Sequence, residues 1–279
     1  MKDMDLREIP FIIHGKDPRD GYLARRLQEG GFRAARWEED VELAAKAIGA
    51  SEEPVVLVLD LNAPDEVLGR LLERLPIGSA CFGGHAYFAR LQQSYARGVT
   101  YFDLLDDEAF CIDNAIPTAE GTLAEAMSRT NRTIHGMRVA VLGYGRVGKA
   151  IARIFKACSA DVTVISRELA ELSAARANGL KTSDLSGLPR VMQTAELTIN
   201  TIPARLLDVL AFVAAREGAL VIDVASGRNL IDVAAAKRRG ISVVNAGSLP
   251  GKVAPDSAAE YLMEAIINQL KGWGGFETE

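Results

Sequence analysis

Three glycines in the run Gly143-Tyr144-Gly145-Arg146-Val147-Gly148 have the spacing with which a backbone turn holds a pyrophosphate. The first lets a strand turn sharply into a helix, the second lets backbone approach the phosphates, and the third lets helix pack on strand. The phosphates then rest on the N–H groups of the helix start. With 25 glycines in 279 residues, about 0.2 such patterns arise by chance, so the flanks must decide. Val139-Ala-Val-Leu142 reads as the entering strand. Val147, Ile151, Ile154, Phe155 and Cys158 then recur at helical spacing, with Arg146, Lys149, Arg153 and Lys156 on the other face. Strand, turn and helix together define a dinucleotide site.

In open parallel sheets, ligands bind beyond the carboxyl ends of the strands. That rule selects four more segments: Ser166-Arg167, Asn200-Thr201-Ile202-Pro203, Asp223-Val-Ala225-Ser226-Gly-Arg228, and Ala246 to Pro255 with Lys252. An Asp or Glu ending the second strand would bond the 2′-hydroxyl of NAD. Ser166 and Arg167 stand there instead, a donor and a planar cation suited to a 2′-phosphate, so NADP is favoured over NAD. His85 follows Phe82-Gly-Gly84 at a strand end and is the functional candidate among three histidines that show no metal spacing. Glu120, near the start of a helix, has the plain alternative of a favourable first-turn acid, and Lys252 that of a surface lysine in a Pro/Gly loop.

These residues need a scaffold, and the composition supplies one. A chain of 279 residues with 48% apolar and 25% charged residues buries a sizeable core and fits two domains. Net charge −5 argues against nucleic acid as the main partner. Cys81, Cys111 and Cys158 are scattered among apolar neighbours, without disulfide or metal spacing, and Met1 to Glu8 lacks a secretory pattern. No apolar run approaches bilayer length. Cytoplasmic residence is the expectation, with no metal.

Alternating apolar runs and amphipathic stretches imply α/β architecture with two doubly wound parallel sheets. Residues 1–117 read as a flavodoxin-like domain, with strands at Pro10–Ile13, Val55–Leu59 and Ser79–Phe82. Its helices are expected near Gly21–Gln28, Val41–Ile48, Val67–Leu75 and Tyr87–Tyr95. Either Val99–Phe102 or Phe110–Ile112 supplies its last strand. A helix over 118–135 links it to a Rossmann domain over 136–256. A last helix over 257–271 is expected to return to the first domain.

Asn114-Ala-Ile-Pro-Thr-Ala-Glu-Gly-Thr122, Thr133-Ile-His-Gly136 leading into the glycine turn, Ile199–Pro203, Ile222–Ser226 and Leu249-Pro-Gly-Lys-Val-Ala-Pro255 occur in the order seen in the A subunits of bacterial dipicolinate synthases, which this chain resembles. Ala259, where a glycine is expected, and Gly227-Arg228-Asn229 depart from the pattern. The resemblance implies an enzyme of sporulation, in the mother-cell cytoplasm, that oxidises dihydrodipicolinate to pyridine-2,6-dicarboxylate with NADP beside a flavoprotein-like B subunit. It implies that Gly84, His85, Thr118, Ser226, Arg228 and Lys252 surround the dicarboxylate, with Glu120 or His85 near the departing proton. A homo-oligomer is compatible with the sequence.

The layout is also that of D-2-hydroxyacid dehydrogenases. Those enzymes clamp substrate with an Arg and shuttle a proton with a His. Here Ser226 holds the Arg place, and Pro250-Gly-Lys-Val-Ala-Pro255 contains no His. A coenzyme-binding protein without catalysis of its own is the third reading.

Overall fold

The computed structural model describes residues 5–37, 45–46, 48–50, 53–61, 71–84, 98–227 and 229–272. The chain divides into two compact units, Met1–Asn114 with Ala254–Glu279, and Ala115–Val253.

In unit 1 the described strands β1 (Pro10–His14), β2 (Arg33–Trp37), β3 (Val56–Leu59), β4 (Ala80–Gly83) and β5 (Thr100–Asp103) form a parallel sheet in the order β2-β1-β3-β4-β5. This is the flavodoxin-like doubly wound order. β3 and β4 are buried along their whole length, as all-apolar strands of a parallel sheet covered on both faces must be. Helix α1 (Pro18–Glu29) starts at Asp17, whose side chain accepts from Arg19 N. The C-terminal helix, α9 (Pro255–Gly272), packs on α1 through Leu262, Ile266 and Leu270, with Arg26 paired to Asp256 at 3.0 Å and to Glu260 at 3.1 Å.

Helix α2 (Glu108–Arg129) carries the chain from unit 1 into unit 2. One open alternative is resolved here and one expectation is corrected. Phe110–Ile112 is helical, so Val99–Phe102 is the run that pairs, within β5. The helix also begins ten residues earlier than expected and runs through Pro117, ending at Arg129. Asp107 stabilises its start by accepting from Phe110 N at 3.0 Å. The helices expected at Val41–Ile48, Val67–Leu75 and Tyr87–Tyr95 fall largely outside the described residues.

Unit 2 alternates strand and helix: β6 (Arg138–Leu142), α3 (Arg146–Ala157), β7 (Asp161–Ile165), α4 (Leu169–Ala177), β8 (Lys181–Ser183), α5 (Leu188–Met192), β9 (Leu197–Asn200), α6 (Val209–Ala214), β10 (Leu220–Asp223), α7 (Val233–Arg238), β11 (Ser242–Asn245) and α8 (Leu249–Val253). Its parallel sheet has the order β11-β10-β9-β6-β7-β8, so strand order reverses between β6 and β9. That is the Rossmann arrangement, with its crevice at the carboxyl ends of those two strands. β6 is buried on both faces: Val139 and Val141 enter one core with Ile151, Ala152 and Phe155 of α3, and Ala140 and Leu142 enter another with Phe212. Burying each such large side chain contributes about 1.5–3 kcal/mol, which holds the switch point rigid. Lys252 stands on the short helix α8, where a Pro/Gly loop was expected.

Candidate active site

β6 ends at Leu142, and the chain turns at Gly143 with φ +89°. A Cβ at Gly143 would stand 2.5 Å from Thr201 Oγ1 and 2.9 Å from Ile202 Cγ1, so the glycine lets the loop after β9 close on the turn. Thr201 fastens that loop, donating from N and Oγ1 to Leu142 O at 3.1 and 2.7 Å. Gly145 caps α3 without a side-chain bond, and a Cβ there would meet only Glu171 Oε1, 4.0 Å away. Gly148, one turn in, has no such room: its Cβ would stand 2.2 Å from Gly143 O. The first turn of α3 carries no acid of its own, so its N–H groups present the positive end of the helix dipole. A cradle that is open beside Gly145 and tight at Gly148 fits the pyrophosphate of a dinucleotide.

Ser166, at the end of β7, is 2% exposed. Its hydroxyl donates to Glu171 Oε2 at 2.5 Å and accepts from Glu168 N at 3.1 Å. Arg167 is largely exposed and pairs with Glu168 at 2.9 Å. Glu171, on α4, also accepts from Tyr144 N in the glycine turn at 3.1 Å. Sequence reasoning missed Glu171 because it sought an acid at the strand end. An acid in the first turn of the following helix was the available signal.

Beyond β9 and β10, Asn200 and Asp223 are buried. Asn200 Nδ2 donates to Asp223 Oδ1 at 2.9 Å and to Ile202 O at 3.1 Å, while Asp223 Oδ1 also accepts from Ala225 N at 3.2 Å. These bonds fix Thr201, Ile202 and Pro203 on one side and Ala225 on the other. Ser226 follows, exposed.

α8 is seated against α2 by Gly121, where a Cβ would lie 3.0 Å from Leu249 Cβ and 3.1 Å from Val253 Cγ2. On α8, exposed Lys252 donates to Gly247 O at 2.7 Å. On α2, Thr118 is 9% exposed, and its carbonyl accepts from Thr122 Oγ1 at 2.7 Å. Glu120 is exposed in mid-helix rather than in the first turn, so the first-turn explanation for it falls away. Gly84 belongs to unit 1, where a Cβ would collide with Leu61 O at 2.1 Å. His85 and Arg228 lie outside the described residues. Unit 2 thus brings together the glycine turn, Ser166, Arg167, Thr201 to Pro203, Ala225 and Ser226 along the strand ends, and separately seats α8, which carries Lys252, at Gly121 of α2, the helix that carries Thr118 and Glu120.

Among the described residues no group of His, Cys, Asp and Glu could hold a metal ion, and no helix is long and apolar enough to cross a membrane.

The fold and this cradle are those of an oxidoreductase with a nicotinamide-coenzyme domain: residues 113–237 match the family model for the NAD binding domain of D-isomer specific 2-hydroxyacid dehydrogenases. The chain belongs to the family of dipicolinate synthase A subunits. It is 36% identical over 201 residues to the dipicolinate synthase A subunit of Bacillus subtilis (strain 168), covering 71% of this chain and 67% of that protein. The crystal structure of the dipicolinate synthase A subunit from Bacillus halodurans superposes with TM-score 0.79 at 26% identity, over 96% of this chain and 99% of that one. D-lactate dehydrogenase from Escherichia coli shares the fold alone, with TM-score 0.66 at 15% identity over 96% and 98% of the two chains.

Proposed function

We propose that this chain oxidises dihydrodipicolinate to dipicolinate with NADP as acceptor, working as the A subunit of a two-component synthase with a flavoprotein-like B subunit in the cytoplasm of a sporulating bacterium. The observation that carries the reading is an intact dinucleotide cradle in a chain 36% identical to a dipicolinate synthase A subunit. A bound nicotinamide supplies the two-electron acceptor. The ring also loses a proton, and gaining aromaticity drives the reaction, so the protein's work is positioning and modest base catalysis.

The substrate is a dianion. In this reading the Lys252 ammonium leaves the Gly247 carbonyl and takes one carboxylate, which is a charge-assisted and stronger bond. Thr118 and Ser226 add hydroxyl donors, and Gly84, His85 and Arg228 complete the substrate contacts. Glu120, or His85, accepts the ring proton. Arg167 turns from Glu168 to the 2′-phosphate.

The test is turnover by purified chain, alone and with its B subunit, given dihydrodipicolinate and NADP. Matched appearance of NADPH and dipicolinate supports the reading. Coenzyme binding without product in either mixture would overturn it in favour of a non-catalytic coenzyme-binding protein.

A further inference from the structure

We propose that Glu171 is a coenzyme-discriminating residue, which accepts the adenosine-ribose hydroxyls of NAD from the first turn of α4 and opposes the 2′-phosphate of NADP. The inference rests on the dinucleotide reading of the cradle and deepens it.

One carboxylate oxygen is spoken for: Oε2 takes the Tyr144 N–H at 3.1 Å and the Ser166 hydroxyl at 2.5 Å. Those two bonds pin the side chain between the glycine turn and the end of β7. The adenosine ribose must lie there if the pyrophosphate rests on α3, because the ribose follows the pyrophosphate past the second strand. The other oxygen, Oε1, is the atom nearest the open side of Gly145, 4.0 Å from where a Cβ would be. Among the described residues it has no hydrogen-bond partner. A carboxylate fixed through one oxygen, with the other beside the turn where the ribose joins the pyrophosphate, is an acceptor for a ribose hydroxyl and a repulsive neighbour for a further phosphate dianion.

Ser166 cannot offset this. Its proton already goes to Glu171, so it turns a lone pair rather than a donor toward any phosphate. The cation available is Arg167, held by Glu168 at 2.9 Å and mostly in water, where its attraction is screened. Arg167 and Glu171 therefore pull in opposite directions. The site that Arg167 opens to NADP thus also admits NAD, through the helix acid, although no acid ends the strand, and Glu171 limits the preference for NADP.

The experiment measures Kd for NAD and for NADP on the same samples of the full chain and of Glu171→Gln, Glu171→Ala and Arg167→Ala, with thermal denaturation alongside. Glu171→Gln keeps the shape and lacks the charge. The ratio of the two Kd values is independent of how much of a sample is folded. The expected result is a shift of that ratio toward NADP by about tenfold or more in both Glu171 variants, and toward NAD in Arg167→Ala. Equal weakening of both coenzymes would make Glu171 only a support for the glycine turn and overturn the proposal, as would an unchanged ratio. If the ratio shifts but dihydrodipicolinate is not oxidised, the proposed reaction fails and this assignment stands. If the wild-type chain binds neither coenzyme, both fall.

Discussion

Asn200 and Asp223 face each other across the ends of β9 and β10, with Asn200 Nδ2 donating to Asp223 Oδ1 at 2.9 Å and both side chains buried. The bond joins the two loops that flank the crevice, and Asn200 suits it because an amide both donates to Asp223 and accepts from Ile202 N at 3.2 Å. Asn200→Asp would set two buried carboxylates against each other. The expected cost is about 3 kcal/mol of unfolding free energy in denaturant titrations. The loss should grow as pH rises, since sharing one proton relieves the repulsion at low pH.

Gly145 and Gly148 separate coenzyme contact from packing. At Gly148 an added methyl meets the Gly143 backbone at 2.2 Å, so Gly148→Ala should lower thermal stability and coenzyme affinity together. At Gly145, with φ −71° and open space beside it, alanine fits the apo protein. Gly145→Ala should leave unfolding unchanged to about 1 kcal/mol while weakening coenzyme binding about tenfold or more, measured by calorimetry. Unchanged binding in Gly145→Ala would mean that the pyrophosphate does not lie over this turn.

The strands of unit 2 were readable because buried parallel strands are short, mostly apolar runs, as in Arg138–Leu142 and Leu220–Asp223. β2 carries no such run: Arg33-Ala-Ala-Arg-Trp37 is a partly exposed edge strand held by its pairing with β1. The start of α2 was obscured because Pro117 suggests a first turn, yet Asp107 caps the helix ten residues upstream. Glycine spacing and strand ends located the cradle. Glu171 escaped notice because its bond to Tyr144 spans 27 residues and exists only once β7 and α4 fold beside the turn. Gly121 reads as an ordinary helix glycine until α8 is seen resting on it.

Lys252 gives a kinetic prediction. Its ammonium is exposed and, among the described residues, its hydrogen bond goes to the Gly247 carbonyl, so removing it should cost at most about 1 kcal/mol of stability. If the ammonium takes a substrate carboxylate, Lys252→Met should reduce kcat/KM for dihydrodipicolinate about a hundredfold, with coenzyme Kd unaltered. Lys252→Arg should recover part of the loss. Steady-state kinetics with both variants checks this, and full activity in Lys252→Met would take Lys252 out of the site.

In unit 1, Asp20 on α1 is 4% exposed and lies beside Asp60, which itself accepts from Lys16 N at 3.0 Å. Burial, then the charge and hydrogen bond of Asp60 and the charge of Asp17, push the Asp20 carboxyl up to about 8, against the opposing pull of Arg19. His14 lies at the end of β1 beside Asp60, and Arg36 of β2 approaches α1 at Gly21. A carboxyl whose folded pKa lies above its unfolded value stabilises fully below the unfolded value. That stability is lost as pH climbs through the folded one. His14 works in the other sense: burial lowers its pKa below 6.5, so its contribution is present above that pH and fades in acid. Above about pH 7.5 His14 is neutral in both states, and the buried Cys81 thiol, which burial pushes well above its ordinary value, adds a fall toward pH 9 that is common to both proteins, so the difference between wild type and an Asp20 variant reports Asp20. Over that range thermal stability of the wild-type chain should fall with rising pH. Asp20→Asn keeps a donor to Asp60 and cannot ionise, so its stability should fall less and should exceed the wild type at about pH 9. Parallel melting curves for the two proteins across that range would show that Asp20 is already ionised at neutral pH and that the pair does not share a proton.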